Sequence, residues 1–165
     1  MDNSNTFYFL GCILFAFLFQ ACMQTNAISL EQEKEKILEL HNAQRAYHFN
    51  KDSIAFANQL SDNFISVNRG IISRPSRKET ITRYDAYFSS VEFEKWDDVS
   101  EPIIHFSTDG SLAYTIVDKI VALTYEGDDG KRIEEETHFA WTTIYRKYGD
   151  NWKIDCVTST NKEVK

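Results

Sequence analysis

Only two prolines and six glycines stand in 165 residues, and no segment repeats or falls into low complexity. Collagen-like, Pro-rich and Gly/Ser-linker architectures are excluded, because each needs those residues in bulk. Cysteine is equally scarce. The three present, Cys12, Cys22 and Cys156, are too few for a disulfide scaffold. No His-x-His, Cys-x-x-Cys or His-Glu-x-x-His spacing occurs, so no metal centre is expected. Neither a Gly-rich phosphate loop nor a Gly-x-Ser-x-Gly elbow is present, and no cofactor is expected. Positive charge is in deficit as well, with a formal net charge of −7. A nucleic-acid partner would need a basic face. The densest basic stretch, Arg74-Pro-Ser-Arg-Lys78, reads as the solvated start of a helix.

What is present begins at the N-terminus. Phe7 to Phe19 is an uncharged apolar run, and no charged side chain occurs between Asp2 and Glu31. As a helix at ~1.5 Å per residue the run is too short for the ~30 Å hydrocarbon core of a bilayer. Its length suits the apolar region of an export signal. Ala21 then precedes Cys22. The segment resembles a bacterial lipoprotein signal, which implies cleavage after residue 21 and a lipid on Cys22. Phe19 and Gln20 stand where Leu and a small residue are usual. Cleavage without lipidation and an uncleaved anchor are the alternatives. The expected organisation is a signal over 1–21, a tether over 22–28 and one domain over 29–165. The expected location is the periplasmic side of a membrane, held there by the lipid. Cys156 is then the one thiol left, and a lone Cys in a strand reads as a small buried hydrophobe.

Ser29 with Gln32 predicts a capped helix, with Leu30, Ile37, Leu40, Gln44 and Tyr47 on its buried face. On that reading His41 and His48 fall at the surface or rim. Asn50-Lys-Asp-Ser53 breaks the pattern before a short helix that runs to about Leu60, with Ile54, Ala57 and Leu60 on one side. Residues 63–67 alternate like a strand. Ser76 with Glu79 caps a third helix, which carries Ile81, Tyr84 and Phe88 at helical spacing. Segments 91–106, 111–126, 133–148 and 151–160 are rich in Val, Ile, Thr, Tyr and Trp, separated by Gly/Asp turns. The fold class is therefore α+β, with N-terminal helices in the concave face of a curved, mainly antiparallel sheet. Segment 111–126 is apolar on both alternating sets, so both its faces should be covered. One would meet the helices. The other would meet a second subunit, giving a homodimer through the sheet.

Two stretches carry a family resemblance. Asn50-Lys-Asp52 leads to Asp62-Asn-Phe64. Residues 141–147, Trp-Thr-Thr-Ile-Tyr-Arg-Lys, lead to Gly149-Asp-Asn-Trp152-Lys-Ile154. Over residues 30–160 the chain resembles the SnoaL-like branch of the nuclear transport factor 2-like superfamily. The resemblance implies a cone-shaped fold, often dimeric, with a pocket between sheet and helices. Many members carry histidines on the last strand. Here those positions hold Cys156 and Thr158, which weighs against family-style polar catalysis.

Candidate chemistry is sparse. Asp118 interrupts an apolar stretch, and His105 and His138 lie within strand segments. Asp155 lies off the face of Trp152. A lone buried carboxylate costs several kcal/mol unless compensated, so each acid pairs, faces water or works. If Tyr148 and Asn151 flank a two-residue turn, Trp141, Thr143, Cys156 and Thr158 share one face. Tyr84, with Tyr87 and Phe88, would close the opposite wall. Three readings follow. The first is a binding domain for a small apolar or mixed ligand. The second is an isomerase- or dehydratase-type acid–base enzyme using Asp118 or His138. The third is a dimeric interaction protein without a working pocket.

Overall fold

The computed structural model of the protein describes residues 29–162. The expected signal over 1–21, the lipidated Cys22 and the tether lie outside the described residues. Helix α1 (Leu30–Phe49) begins at Ser29, whose hydroxyl accepts from the Gln32 amide. Its far end is closed by the predicted breaker. Lys51 takes a left-handed φ of 57°. The Lys51 and Asp52 amides then turn back to donate to the His48 and Tyr47 carbonyls, at 3.1 and 2.8 Å. Those two bonds satisfy carbonyls that a helix end otherwise leaves unpaired. Asp52 at once caps α2 (Ser53–Asn58), accepting from the Ala55 amide at 2.8 Å. This second helix stops short of Leu60. It buries Phe56 and Ala57 and exposes Ile54, which corrects the expected Ile54–Ala57–Leu60 face. Helix α3 (Arg77–Ser90) carries both halves of the Ser76–Glu79 capping box.

Among the described residues seven strands follow or interleave: β1 (Leu60–Asn68), β2 (Ile71–Ser73), β3 (Glu92–Asp98), β4 (Ile103–Phe106), β5 (Leu112–Glu126), β6 (Arg132–Tyr148) and β7 (Asn151–Asn161). They form one sheet in the order β2-β1-β7-β6-β5-β3, with β4 also on β5. All pairings are antiparallel except β1 with β7. Segment 91–106 is thus two strands rather than one. Pro102, which has no N–H for a ladder, lies in the break. Both pieces pair with the same edge of β5, β3 along 119–124 and β4 along 113–116.

The long strands place helices and sheet in register. On β5 the odd positions Ala113, Thr115, Val117, Lys119 and Val121 are buried and face the helices. The even positions from Tyr114 to Ala122 form the outer, convex face. Two apolar clusters fill the concave side. Ile37, Ala113, Tyr145, Trp152 and Ile154 form one, and Phe56, Phe88, Val91, Phe93 and Val121 the other. Full burial of a side chain such as Phe88 contributes roughly 1.5–3 kcal/mol.

Candidate functional site

Helix α1 lies in the concavity on a mostly polar stripe. Glu33, Ile37, His41, Gln44 and His48 are its buried residues, spaced four, four, three and four apart. His41 and His48 are therefore core residues, which corrects their expected place at the surface or rim. The apolar face expected from the sequence is rotated slightly away, with Leu30 exposed and Leu40 and Tyr47 half-buried.

Every charge in that stripe is partnered. Glu33 accepts from the Trp152 indole at 2.5 Å and pairs with Lys36 at 2.9 Å and Lys147 at 3.0 Å. Burial pushes its carboxyl up, but those bonds outweigh burial and bring it from 4.5 down to about 2. Eight residues further along α1, about 12 Å at a rise of ~1.5 Å per residue, a second cluster ties the helix to β3 and β5. Asp98 meets His41 Nε2 and Lys119 Nζ, both at 2.8 Å. Burial again opposes ionisation of Asp98, and the two partners hold it below the usual carboxylate range. The Lys119 ammonium also lies 5.6 and 5.9 Å from the Trp96 and Trp141 ring centroids.

Between α1, α3 and the sheet runs a cavity of about 270 Å³. His48 stands at its inner wall. Its Nδ1 donates to the Gln44 carbonyl at 2.7 Å, which leaves the lone pair of the neutral ring on Nε2. Trp96 stacks on the imidazole at 3.6 Å, and Phe56, Phe88 and Phe93 surround it edge-on. Burial in that aromatic box lowers the His48 pKa from 6.5 to about 4. Trp96 Nε1 is buried with no acceptor among the described residues.

Trp141, Thr143 and Tyr84 line this cavity. Cys156 and Thr158 are not among its lining residues, and their places are taken by Val157 and Ser159. Tyr148 does pair with Asn151 as expected, but a bulge at Asp155 slips the register by one. Thr143 then faces Val157, and Trp141 faces Ser159. The bulged Asp155 side chain accepts from Arg146 Nε at 2.8 Å and the Tyr148 hydroxyl at 2.7 Å. Asp118 and His138 lie on the convex face and hydrogen-bond to each other. Neither lines the cavity, so neither is placed to act as a base there. His105 stacks on Tyr114, also on the convex face.

This arrangement of helices in a curved, open, mostly antiparallel sheet is the nuclear transport factor 2-like fold. No protein-family model matches the sequence, and no characterised protein matches it in sequence. Solved structures do match in shape. A nuclear transport factor 2-like superfamily protein from Salmonella enterica serovar Typhimurium is 17% identical at a TM-score of 0.66, covering 82% of this chain and 95% of that one. A nuclear transport factor 2-like protein of unknown function in nutrient uptake from Rhodospirillum rubrum is 18% identical at 0.60, covering 77% and 98%. A ketosteroid isomerase-like protein from Erwinia carotovora is 14% identical at 0.62, covering 79% and 96%. At these identities the likeness defines the fold.

The two α1 groups with shifted pKa values make acid stability fall in two separate windows. His48 binds its proton in the unfolded chain below its ordinary 6.5 but in the folded protein only near 4. Its contribution is complete above pH 6.5 and is lost as pH falls towards 4, a total on the order of 3 kcal/mol. The Glu33 contribution is complete above pH 4.5 and is lost as pH falls towards about 2. Melting temperature measured against pH should show both. His48→Phe should flatten the upper window and leave the lower one, whereas Glu33→Gln should shrink the lower one, to which Asp98, Asp109 and Asp155 also contribute, and leave the upper. A profile unchanged by either substitution would contradict the buried, partnered placement of that residue.

Proposed function

We propose that the chain is an exported, lipid-anchored member of the SnoaL-like branch whose domain binds a small, largely apolar ligand in the cavity. The observation that carries this reading is the make-up of the wall. Phe56, Tyr84, Trp96, Phe139 and Trp141 supply rings, and Ser66, Thr80, Thr143 and Ser159 supply hydroxyls. None of the lining residues is a carboxylate. Its volume sits just below the ~300–1,000 Å³ usual for ligand pockets, so the ligand is small. The acid–base alternative finds little support. Asp118 and His138 are engaged with each other on the other face. His48, held near 4, accepts a proton poorly at neutral pH, whereas an efficient general base has a pKa close to the working pH. The buried carboxylate Glu33 and the half-buried Asp98 are saturated by their own partners.

The binding reading is tested with a neutral aromatic probe, 1-naphthylacetamide, followed through the indole N–H signals of Trp96 and Trp141. Trp141→Ala should weaken binding tenfold or more, roughly the 1.5–3 kcal/mol of one buried ring. Cys156→Ala and Thr158→Ala should leave the affinity within about twofold. Indole signals that stay still at millimolar probe would defeat the reading.

The convex face supports a homodimer as part of the same proposal. Ile103, Ile116, Thr142 and Thr158 form one cross-strand row, and His105, Tyr114, Ile144 and Cys156 the next. Ile103, Tyr114 and Ile116 remain exposed in the isolated chain. Light scattering should give a dimer that Ile116→Lys converts to monomer. A wild-type monomer at micromolar concentration would refute it.

For the anchor, Cys22→Ser should move the protein from the membrane fraction to the soluble one. Membrane retention with an intact N-terminus would identify an uncleaved anchor instead.

A further inference from the structure

The cavity opens beside the most basic part of an acidic chain. Among its lining residues only Asn68, Arg83 and Tyr87 are exposed, so these three mark the mouth. Asn68 leads into the β1–β2 turn, Pro75 of the lining precedes α3, and Arg83 and Tyr87 are one turn apart on α3. From Arg69 to Tyr87 the chain carries five basic side chains, Arg69, Arg74, Arg77, Lys78 and Arg83, against two acids, Glu79 and Asp85. The whole protein has the opposite balance, 18 basic residues against 25 acidic ones. One of the two local acids is already engaged, since Glu79 closes the Ser76 capping box. Arg83, the one cation that lines the cavity, makes no ion pair among the described residues. It contrasts with Lys119 and Lys147, which are consumed by Asp98 and Glu33.

Resting on the binding reading above, we propose that the ligand is an amphiphilic anion. Its aromatic or short acyl body sits among Phe56, Tyr84, Trp96 and Trp141, and its carboxylate or equivalent monoanionic head sits at the mouth on Arg83. The chemistry divides along the cavity in that sense. The inner end holds a neutral imidazole and rings, which favour an uncharged body. The outer end holds a guanidinium with its donors unspent, the group best suited to carboxylate in a bidentate grip. No carboxylate in the lining opposes an incoming anion. The flanking cations raise the local concentration of anions even though the net charge repels them. Two isoleucines beside this rim, Ile71 and Ile72, are 68% and 64% exposed. They extend an apolar surface along which such a molecule could enter.

A matched pair of probes isolates the head group: 1-naphthylacetate and its carboxamide, which share a body and differ in charge. The acid should bind about tenfold tighter than the amide in low salt, the size of one charge-assisted hydrogen bond at a partly exposed site. That preference should shrink as sodium chloride is raised. Arg83→Gln should abolish it while leaving amide affinity within about twofold. Arg83 is exposed on a helix, so the substitution should not disturb the fold, and an unchanged melting temperature verifies this. Equal affinity for acid and amide, or a preference that survives Arg83→Gln, would overturn the proposal while leaving the binding reading intact. Failure of both probes to move the Trp96 and Trp141 signals would remove both together. Vesicles identify the source of the anion. Competition by phosphatidylglycerol vesicles but not phosphatidylcholine would point to a membrane lipid, and no competition by either to a free acid. Both results support the anionic head.

Discussion

The placement of α1 across the concave sheet is the constraint on which the rest depends, and hydrogen-bonded polar partners of its buried stripe fix it. A helix held only by apolar contact could slide or rotate by a fraction of a turn at little cost, because burial has no direction. Glu33 and His41 remove that freedom. Glu33 must stay within reach of Lys147 and the Trp152 indole, and His41 within reach of Asp98. Withdrawing either side would leave a charge or donor buried without its partner, which costs more than the intact pair contributes. The two anchors lie two helical turns apart, one in the first turn of the helix and one near its middle, so axial position and rotation are set together. The cavity is the space left over, and its inner wall carries the last two residues of the same stripe, Gln44 and His48.

A second constraint acts from the sheet side. The bulge at Asp155 exchanges Cys156 and Thr158 for Val157 and Ser159 on the concave face. One extra residue changes the wall from thiol and threonine to valine and serine. It also sends Cys156 and Thr158 to the convex surface, where they continue the rows of Tyr114 and Ile116. The bulge is held by a local bond set, with Asp155 accepting from Arg146 and Tyr148 across the hairpin. Pocket chemistry and the outer surface are thus coupled through a single irregularity, as is usual for bulges near functional sites.

The features legible in the sequence were local ones. Ser29, Ser76 and Asn50-Lys-Asp52 act on backbone groups within a few residues of themselves, so pattern alone located three helices. The Gly/Asp turns marked β5, β6 and β7 for the same reason. On β6, Trp141 and Thr143 share a face with alternation as the sole requirement, and both do line the cavity. What could not be read required partners distant in sequence. His41 meets Asp98 across 57 residues, and Glu33 meets Trp152 across 119. A search for apolar periodicity could not find a buried stripe in which four of five members are polar. That stripe still had a signal, because Glu33, Ile37, His41, Gln44 and His48 recur at helical spacing whatever their polarity. The bulge had none, since nothing in Ile154-Asp-Cys156 marks which residue is extra.

Charge distribution then links fold to ligand. An interior that neutralises its own charges is an interior without electrostatic preference. Asp98 cancels Lys119, Glu33 is matched by lysines, and burial keeps His48 uncharged. Discrimination inside the cavity is left to shape and ring contact, which favour compact planar bodies. Selectivity by charge can be exerted only where a charge remains uncommitted, and along the cavity wall that is Arg83 at the mouth. Such a division is consistent with the reversible binding proposed for the site. An apolar body can leave a neutral pocket without breaking a buried ion pair, and a head group at an exposed rim exchanges its guanidinium contact for water at modest cost.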